Sequence, residues 1–569
     1  MSYSIKENDQ QVIENLCSEF KLSPVLAKIL VNRKLIKPEQ VRQFLNADVS
    51  HIHSPFLLKD MDKAVERLVV AVQENQKICI YGDYDVDGAM STTLLVSFFE
   101  ELKIQVSYYI PNRLREGYSL NIDALKKIKA DKNDIVITVD NGIMAHDPIR
   151  WAHENNLDVI VTDHHQVGKD LPVALAIVNP QRKDCDYPFK GICGAGVAFK
   201  LMMGLRQRLR ELDYFKKMKE PNLKSYFDLL AVATVCDVVP LIDENRYFVT
   251  EGLKRLQHTK RVGLKALKMV CEVGQREITA GDLGFKLGPR INACGRLEDA
   301  SLGVSMLLAT NEETAFEKAK MLDHLNTERR EMELNIVKEA KEQIESKLLH
   351  KTQLGLVIAD QNWHEGVVGI VASRIVDTYK RPTIVLSLKE DKTLKGSGRS
   401  VSKVSLITAL KECESLLEKY GGHEAAAGMS LKLENLEAFK TAFDVAVKKQ
   451  MQFEDIKDLI LVDDVLKDSE INQLLMDELK KLEPHGMGNA KPVFALSKSR
   501  VKTKRLVGQK HLKLQVELPH QVIDAIAFNQ GEQADEIGNQ VDLVFGLETN
   551  YFRDRANLQL VVKKIINNK

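Results

Sequence analysis

The sequence predicts an α/β protein: a parallel-sheet domain, a helical connector, a second α/β domain and a small C-terminal β-barrel or sandwich. Three observations predict it. From Lys77, continuously apolar strand-like runs alternate with helical runs, the pattern of a parallel sheet covered by helices on both faces. A second such alternation starts at Leu354, after a charged stretch from Glu312 to Leu349 that lacks Gly and Pro. Beyond about residue 455, short alternating runs at strand spacing replace the helical period.

Composition bounds the classes. The chain has 569 residues, 44% hydrophobic and 28% charged, with 81 Lys plus Arg against 80 Asp plus Glu. Those values exclude wholesale disorder, collagen and a membrane bundle, and the length suggests about four domains. A net charge of +1 leaves nucleic acid open as a partner, because a neutral total can hide a basic channel. The eight cysteines form no C-x-x-C pair, so no zinc ribbon or thioredoxin motif is present. Cys79 and Cys236 lie in apolar runs and read as small buried hydrophobes. A reducing compartment fits this usage. The N-terminus, MSYSIKENDQQ, is too polar for a signal peptide, and no apolar run approaches the roughly 20 residues that span a bilayer. A soluble, cytoplasmic protein with no membrane contact is expected.

Taken in order, residues 1–70 read as an N-terminal elaboration with the loop HIHSPFLLKD. The first α/β domain with its helical extension is expected over 71–310. There KICIY, QVSYYIP, DIVITV and LDVIVT are strands, and the helices are AMSTTLLVSFFEEL from Ala89, NIDALKKIK and AHDPIRWAHEN. A connecting helix is expected over 311–350. The second α/β domain, 351–450, has strands LGLVIAD and PTIVLSL and helices VGIVASRIVDTY and VSLITALKECESLLEKY. The tail, 451–569, supplies PVFALSKSRVKTKRLV, HLKLQVEL, VIDAIAFN, VDLVFGLETN and LQLVVKKI as strands.

In an open α/β sheet, ligands bind beyond the carboxyl ends of the strands. Here those ends carry GDYDVDG, VDNG and TDHH, which place Asp83, Asp85, Asp87, Asp140, Asp163, His164 and His165 at one sheet edge. Asp237, closing the helix-like LLAVATVCD, joins them if that helix folds back. Spaced i, i+2, i+4, Asp83, Asp85 and Asp87 share one face of an extended segment. A lone Asp after a strand is ordinarily a turn or a cap, but clustered carboxylates repel one another unless a cation neutralises them. Mixed Asp and His ligation suits Mn²⁺ or Mg²⁺ and can also hold Zn²⁺. Two ions bridged by a shared carboxylate form the usual device for phosphoryl transfer to water. The flanking pattern and bidentate Glu of an EF-hand are missing after GDYDVDG.

DYDVDG, VDNG, TDHH and ATVCDVVPL, in that order, resemble the DHH phosphoesterase superfamily. GSGRS (396–400) and GGHEAAAG (421–428) resemble the DHHA1 domain that accompanies it. PNRLREGYSL, GPRINACGRL and EPHGMGNAKPVF resemble the RecJ branch, the last introducing a tail like an OB-fold. The likeness spans roughly residues 60–569. It implies a single-stranded-DNA exonuclease working 5′ to 3′ with two Mn²⁺ or Mg²⁺ ions, a monomer acting with a helicase and a single-strand-binding protein in recombination and repair. It implies Asp83, Asp85, Asp87, Asp140, His164 and Asp237 as metal ligands, with Asp140 the bridge. His165 would face the scissile phosphate, and Asp163 would orient the histidines. Arg113, Ser397 and Arg399 would bind the 5′-terminal phosphate, and Arg290, Asn292, Arg296 and His423 would line the DNA path. Tyr81 stands where many relatives have a metal-binding histidine, Ser119 where glycine is usual, and His485 and Ala490 where Phe and Pro are common.

The residues support the same reading physically. GSGRS reads as a loop offering backbone amides and a guanidinium to a phosphate, and GGHEAAAG as glycines ahead of a helix whose N-terminus takes an anion. Two domains with metals on one wall of a cleft and cations on the other would thread one strand and exclude a duplex. The basic stretch SKSRVKTKRLVGQKHLK could track a backbone electrostatically, while Phe494, Phe528 and Phe552 read as core more than as stacking groups. Two competing functions are a DHH-type phosphodiesterase for short oligonucleotides or cyclic dinucleotides, and a non-catalytic DNA-binding scaffold. The RecJ-type segments and OB-like tail argue against the first, the complete ligand set against the second.

Overall fold

The computed structural model describes residues 3–112, 116–117, 119–456, 459–508, 510–552 and 555–567. The chain forms two compact units: Met1–Pro289 with Gly303–Phe316 and Leu459–Lys569, and Arg290–Leu302 with Glu317–Asp458. Among the described residues, no helix is long and apolar enough to cross a membrane.

The first unit begins with β1 (Tyr3–Ile5), α1 (Gln10–Phe20), α2 (Pro24–Asn32) and α3 (Pro38–Leu45). Asp9 caps α1 by accepting from the Gln11 and Val12 amides, and Ser23 caps α2 ahead of Pro24, the usual start signals. After α4 (Met61–Gln73) comes the parallel layer: β2 (Ile78–Tyr81), α5 (Val86–Glu101), β3 (Val106–Tyr109), α6 (Ile122–Ala130), β4 (Ile135–Val139), α7 (His146–Glu154), β5 (Asp158–Thr162) and β6 (Ala176–Val178). The strands run β3-β2-β4-β5-β6, all parallel. Cys79, Tyr81, Val136, Val159 and Val161 pack with Leu125, Ile128, Ile149 and Ala152 of α6 and α7. Strand alternation sends the intervening residues to the opposite face. The three-residue β6 is not among the expected strands, although it closes the apolar run VALAIV at 173–178.

Helices then dominate: α8 (Gly194–Glu211), α9 (Phe227–Cys236), α10 (Asp243–Gln257), α11 (Val262–Val270), a π-helical turn at Leu283–Leu287, α12 (Gly288–Leu297) and α13 (Ser301–Leu307). Lys200 of α8 and Glu244 of α10 are fully buried, Nζ to Oε2 being 2.6 Å. Lys200 also donates to the His53 carbonyl, and Glu244 accepts from the Tyr187 hydroxyl. Removing one partner strands the other charge in an apolar interior. Lys200→Met is expected to cost about 3–5 kcal/mol, read as a lower urea midpoint, and Lys200→Met/Glu244→Gln to recover part of it.

The charged stretch forms one helix, α14 (Glu312–Ser346). It is not wholly solvated, because Ile336, Ala340 and Ile344, one turn apart, are buried. The second unit continues with β7 (Leu356–Asp360), α15 (Val368–Tyr379), β8 (Thr383–Leu388), β9 (Thr393–Arg399), α16 (Leu406–Glu412), β10 (Lys419–Gly422), β11 (Ala426–Lys432) and α17 (Leu436–Lys448). Its sheet runs β10-β11-β9-β8-β7; β7 and β8 are parallel, the other pairs antiparallel. α14 and α15 pack with Leu356, Ile358 and Val385. α16 and α17 pack with Val357, Ile384 and Leu386.

Three expectations are corrected here. GSGRS is the end of β9, not a loop, and its glycines are packing positions: a Cβ on Gly396 would lie 2.2 Å from the Val385 carbonyl oxygen. GGHEAAAG precedes no helix; it forms the end of β10, a turn and the start of β11, with Ala427 opposite Gly398. The helix expected to Tyr420 stops at Glu412, because Lys419–Gly422 pairs with β11; local periodicity yields there to sheet pairing.

The tail returns to the first unit: β12 (Ile460–Val462), β13 (Asp464–Val465), α18 (Gln473–Lys480), β14 (Phe494–Val507), β15 (His511–Leu518), β16 (Gln521–Ala527), β17 (Gln540–Phe552) and β18 (Arg555–Asn567). β14-β15-β16-β18-β17 close through a β17–β14 pairing into a five-stranded barrel. The N-terminal helices contribute to its core: Ile13, Leu26, Ile29, Leu30 and Phe44 pack with Leu512, Phe494 and Phe545. β1 pairs with β12. Phe494 is buried as expected, whereas Phe528 is 54% exposed against the His511 ring; the side chain of Phe552 lies outside the described residues.

Candidate metal centre

The cluster rests on four backbone devices. α5 starts at Val86, earlier than Ala89, so Asp83, Asp85 and Asp87 do not share an extended segment. Asp85 is instead the α5 N-cap, its Oδ1 accepting from the Gly88 amide at 3.0 Å, and Asp87 lies in the first helical turn. After β4 the chain turns through Asp140 at φ 62° and Gly142 at φ 109°. Asn141 pins this turn by donating to the Val139 carbonyl, and the Thr138 hydroxyl donates to that of Asn141. After β5 come Asp163, His164 and His165. Asp237 is the residue that ends α9, so that helix does fold back.

These elements bring the predicted ligands together. His164 Nε2 lies 3.1 Å from Asp140 Oδ1, 3.6 Å from Asp237 Oδ2 and 3.8 Å from Asp87 Oδ2. Three sets have donor atoms within 4.8 Å of one another: Asp140 with His164 and His165, Asp87 with His164 and Asp237, and Asp83 with Asp85 and Asp140. Asp140 and His164 each belong to two of the three sets, and Asp140 is the carboxylate so shared. Asp140 Oδ1, His164 Nε2 and Asp237 Oδ2 are all buried without a hydrogen-bond partner. Buried polar atoms rarely stay unpaired, and three converging lone pairs fit a bound cation. The donors are carboxylate oxygen and imidazole nitrogen with no thiolate, which suits Mn²⁺ or Mg²⁺.

The electrostatics agree. Burial, then the charges of its acidic neighbours, pushes the Asp140 carboxyl well above the ordinary range. The same causes raise Asp87 to about 7 and Asp237 to about 9. Burial and the neighbouring His165 hold His164 down to about 4, keeping it a neutral, ligand-competent imidazole. Burial opposes charge on His165 too, but a 2.7 Å hydrogen bond to Asp163 and the surrounding carboxylates outweigh it and lift His165 to about 9. Asp163 also accepts from the backbone amides of Ile143, His164 and His165. It therefore holds the His165 ring and ties the β4 loop to the β5 loop, while it meets His164 only through the backbone amide.

Tyr81 packs in the apolar cluster of α6 and α7 and donates its hydroxyl to the Ser119 carbonyl. Ser119 takes φ 74°, a conformation suited to the glycine usual there. A supporting element absent from the sequence reading is the α8 N-terminus: Gly194 and Ala195 donate their amides to the two Asp87 oxygens at 2.6 and 2.8 Å. The sequence signal was GAG opening a helix after GIC.

Arg113 lies outside the described residues. Ser397 and Arg399 sit on β9 beside the first turn of α15, where a Cβ on Gly369 would lie 3.3 Å from Arg399 Nη2 and 3.4 Å from Ser397 Oγ. The helix start next to these side chains is thus that of α15. Arg296 donates to the Gly366 carbonyl just before α15. Arg290, on the same helix as the half-buried Asn292, pairs with Asp323 at 2.7 Å. His423 is exposed in the β10–β11 turn.

Comparison with known proteins matches the DHH family N-terminal domain to residues 77–234, the DHHA1 domain to 351–449 and the RecJ OB domain to 462–564. The single-stranded-DNA-specific exonuclease RecJ of Bacillus subtilis is 37% identical over 99% of this chain and 70% of its own length. That of Escherichia coli is 36% identical over 99% of this chain and 100% of its own. Thermus thermophilus RecJ, solved in complex with Mn²⁺, superposes with a TM-score of 0.84 at 28% identity, covering 100% of this chain and 80% of that one; it has also been solved with Mg²⁺. The chain belongs to the RecJ family of single-stranded-DNA-specific exonucleases.

Proposed function

We propose that this chain degrades single-stranded DNA 5′ to 3′ to 5′-mononucleotides, using two divalent cations, Mn²⁺ or Mg²⁺. The observation that carries it is the convergence of Asp140 Oδ1, His164 Nε2 and Asp237 Oδ2, buried and unpartnered, at the edge of the parallel sheet. Asp83, Asp85, Asp87, Asp140, His164 and Asp237 would hold the ions, Asp140 serving both. The bound cations would supply a nucleophile from water at neutral pH and absorb charge on the phosphoryl oxygens. His165, 39% exposed and held by Asp163, presents a ring N–H donor to the scissile phosphate. Ser397, Arg399 and Arg113 receive the terminal 5′-phosphate and set the direction, while Arg290, Asn292, Arg296 and His423 contact the strand behind it. The exposed cations of β14, among them Lys502, Lys504 and Arg505, attract the backbone electrostatically. In the cell, the enzyme works as a cytoplasmic monomer with a helicase and a single-strand-binding protein in recombination and repair.

The test uses purified protein with Mn²⁺ on four long substrates: a 5′-phosphorylated strand, a 5′-hydroxyl strand, a 3′-blocked strand and a blunt duplex. Mononucleotide release from the first and third, with little from the duplex, is expected. Release only from 3′ ends, or cleavage of dinucleotides alone, would overturn the direction. Arg399→Ala is expected to lower kcat/KM on the phosphorylated strand about 10- to 100-fold, the equivalent of a lost charge-assisted hydrogen bond. It should leave the 5′-hydroxyl strand nearly unaffected.

A further inference from the structure

Phe285 is 87% exposed, the most exposed large apolar side chain among the described residues. It stands on the π-helical turn Leu283–Leu287, a geometry rare in proteins and frequent at functional sites. That turn packs on the last turn of α9, which ends in the ligand-set residue Asp237. The Cys236 thiol donates to the Leu283 carbonyl at 3.5 Å, and Gly288 lies so close that a Cβ there would sit 2.5 Å from Cys236 Sγ. On the other side of Asp237, Val238 is 64% exposed and takes φ 60°, a conformation costly for a β-branched residue. Two backbone irregularities therefore hold two apolar side chains out in water on the segments flanking one metal-site carboxylate. Neither contributes to a core.

We infer that Phe285 is a stacking platform for a nucleobase of the bound strand next to the cleavage site, with Val238 as a second apolar contact. The inference rests on the exonuclease reading and adds a positioning residue to it. A flat ring serves every base equally, because each base presents a π-face and no hydrogen-bond pattern is read. That suits an enzyme which must advance one nucleotide at a time regardless of sequence. It also favours unpaired DNA, since a base stacked within a duplex is not available to the ring.

Two measurements test it. In EDTA, which withholds the cations needed for cutting, strands carrying 2-aminopurine at single positions near the 5′ end report stacking by fluorescence quenching. Wild type is expected to quench at one or two adjacent positions, Phe285→Trp to retain the quench and Phe285→Ala to lose it at one of them. With Mn²⁺, Phe285→Ala is expected to raise KM on an ordinary strand about 5- to 150-fold, the equivalent of about 1–3 kcal/mol per stacked base, with a smaller effect on kcat. On a strand made abasic at the quenched positions, wild type and Phe285→Ala should have the same KM. Equal quenching by wild type and Phe285→Ala, or an equal loss on ordinary and abasic strands, would overturn the platform. Wild-type protein that binds and quenches yet cuts no strand would instead overturn the exonuclease reading and leave the platform standing. Folding does not confound the comparison, since so exposed a ring supports no packing; matching thermal melts check this.

Discussion

Asp140→Asn is expected to reduce strand cleavage at least about 1,000-fold, corresponding to about 4 kcal/mol of lost transition-state stabilisation. Asp140 belongs to two of the three donor sets, so its loss weakens both proposed cation sites at once. Asparagine is a better substitution than alanine. Asp140 takes φ 62°, a conformation that Asn adopts readily and that strains Ala by about 1 kcal/mol. Asn also replaces a carboxyl whose charge is disfavoured by burial and by Asp87, Asp85 and Asp237, so the cation-free protein should lose no stability. The second readout is thermal. Mn²⁺ at about 100 times its Kd should stabilise wild type by about 2.7 kcal/mol, and Asp140→Asn should lose most of that shift. Cleavage within about tenfold of wild type would overturn the assignment of Asp140 as the shared ligand.

Gly194→Ala is expected to be nearly as damaging, although Gly194 contributes no side chain. A Cβ at this position would lie 2.7 Å from Asp140 Cβ, 2.9 Å from its Oδ1 and 3.0 Å from its Cα. Two of those atoms belong to the rigid part of the residue, so no rotamer change clears the clash. Either the Asp140 turn or the start of α8 must move. Moving α8 also displaces the two amides that hold Asp87. A shift of about 1 Å can cost about 100-fold in rate, and supporting contacts are worth about 10- to 100-fold in metal affinity. Calorimetry with Mn²⁺ should show that weakening while the far-ultraviolet circular dichroism stays unchanged. Gly281→Ala is the control: its Cβ would meet only Thr279 Oγ1 at 3.5 Å, and wild-type activity is expected. Unaltered Mn²⁺ affinity in Gly194→Ala would show that α8 has no part in shaping the site.

The chain's order of strands and helices was legible because it is written locally. Apolar runs such as ICIY and IVITV, short and rich in β-branched residues, read as buried strands, and the rule that ligands bind beyond parallel strand ends then pointed to Asp83, Asp140, Asp163 and His164 without reference to distant residues. Asp163 was legible as a partner of the histidines because it directly precedes them, and its carboxylate meets the His165 ring. The alternating tail likewise announced its strands. Other features had no local signature. Asp85 and Asp87 read as an extended ladder, yet the helix reaches back to Val86 and turns one into a cap and the other into a first-turn residue. GSGRS read as a phosphate loop and GGHEAAAG as the lead into an anion-binding helix, because glycine looks the same whether it frees a turn or lets two strands approach.

By itself, then, the sequence determined the fold class, the position of the acidic cluster along the chain and the chemistry its donors can perform, since hydrophobic period and side-chain type are properties of short segments. Tertiary structure alone decided which atoms meet. The amides that clamp Asp87 come from 107 residues further along the chain. The core beneath the C-terminal barrel is completed by helices from the opposite end of the sequence. Contacts of that kind are selected by the packing of the whole chain and leave no spacing pattern in any one part of it.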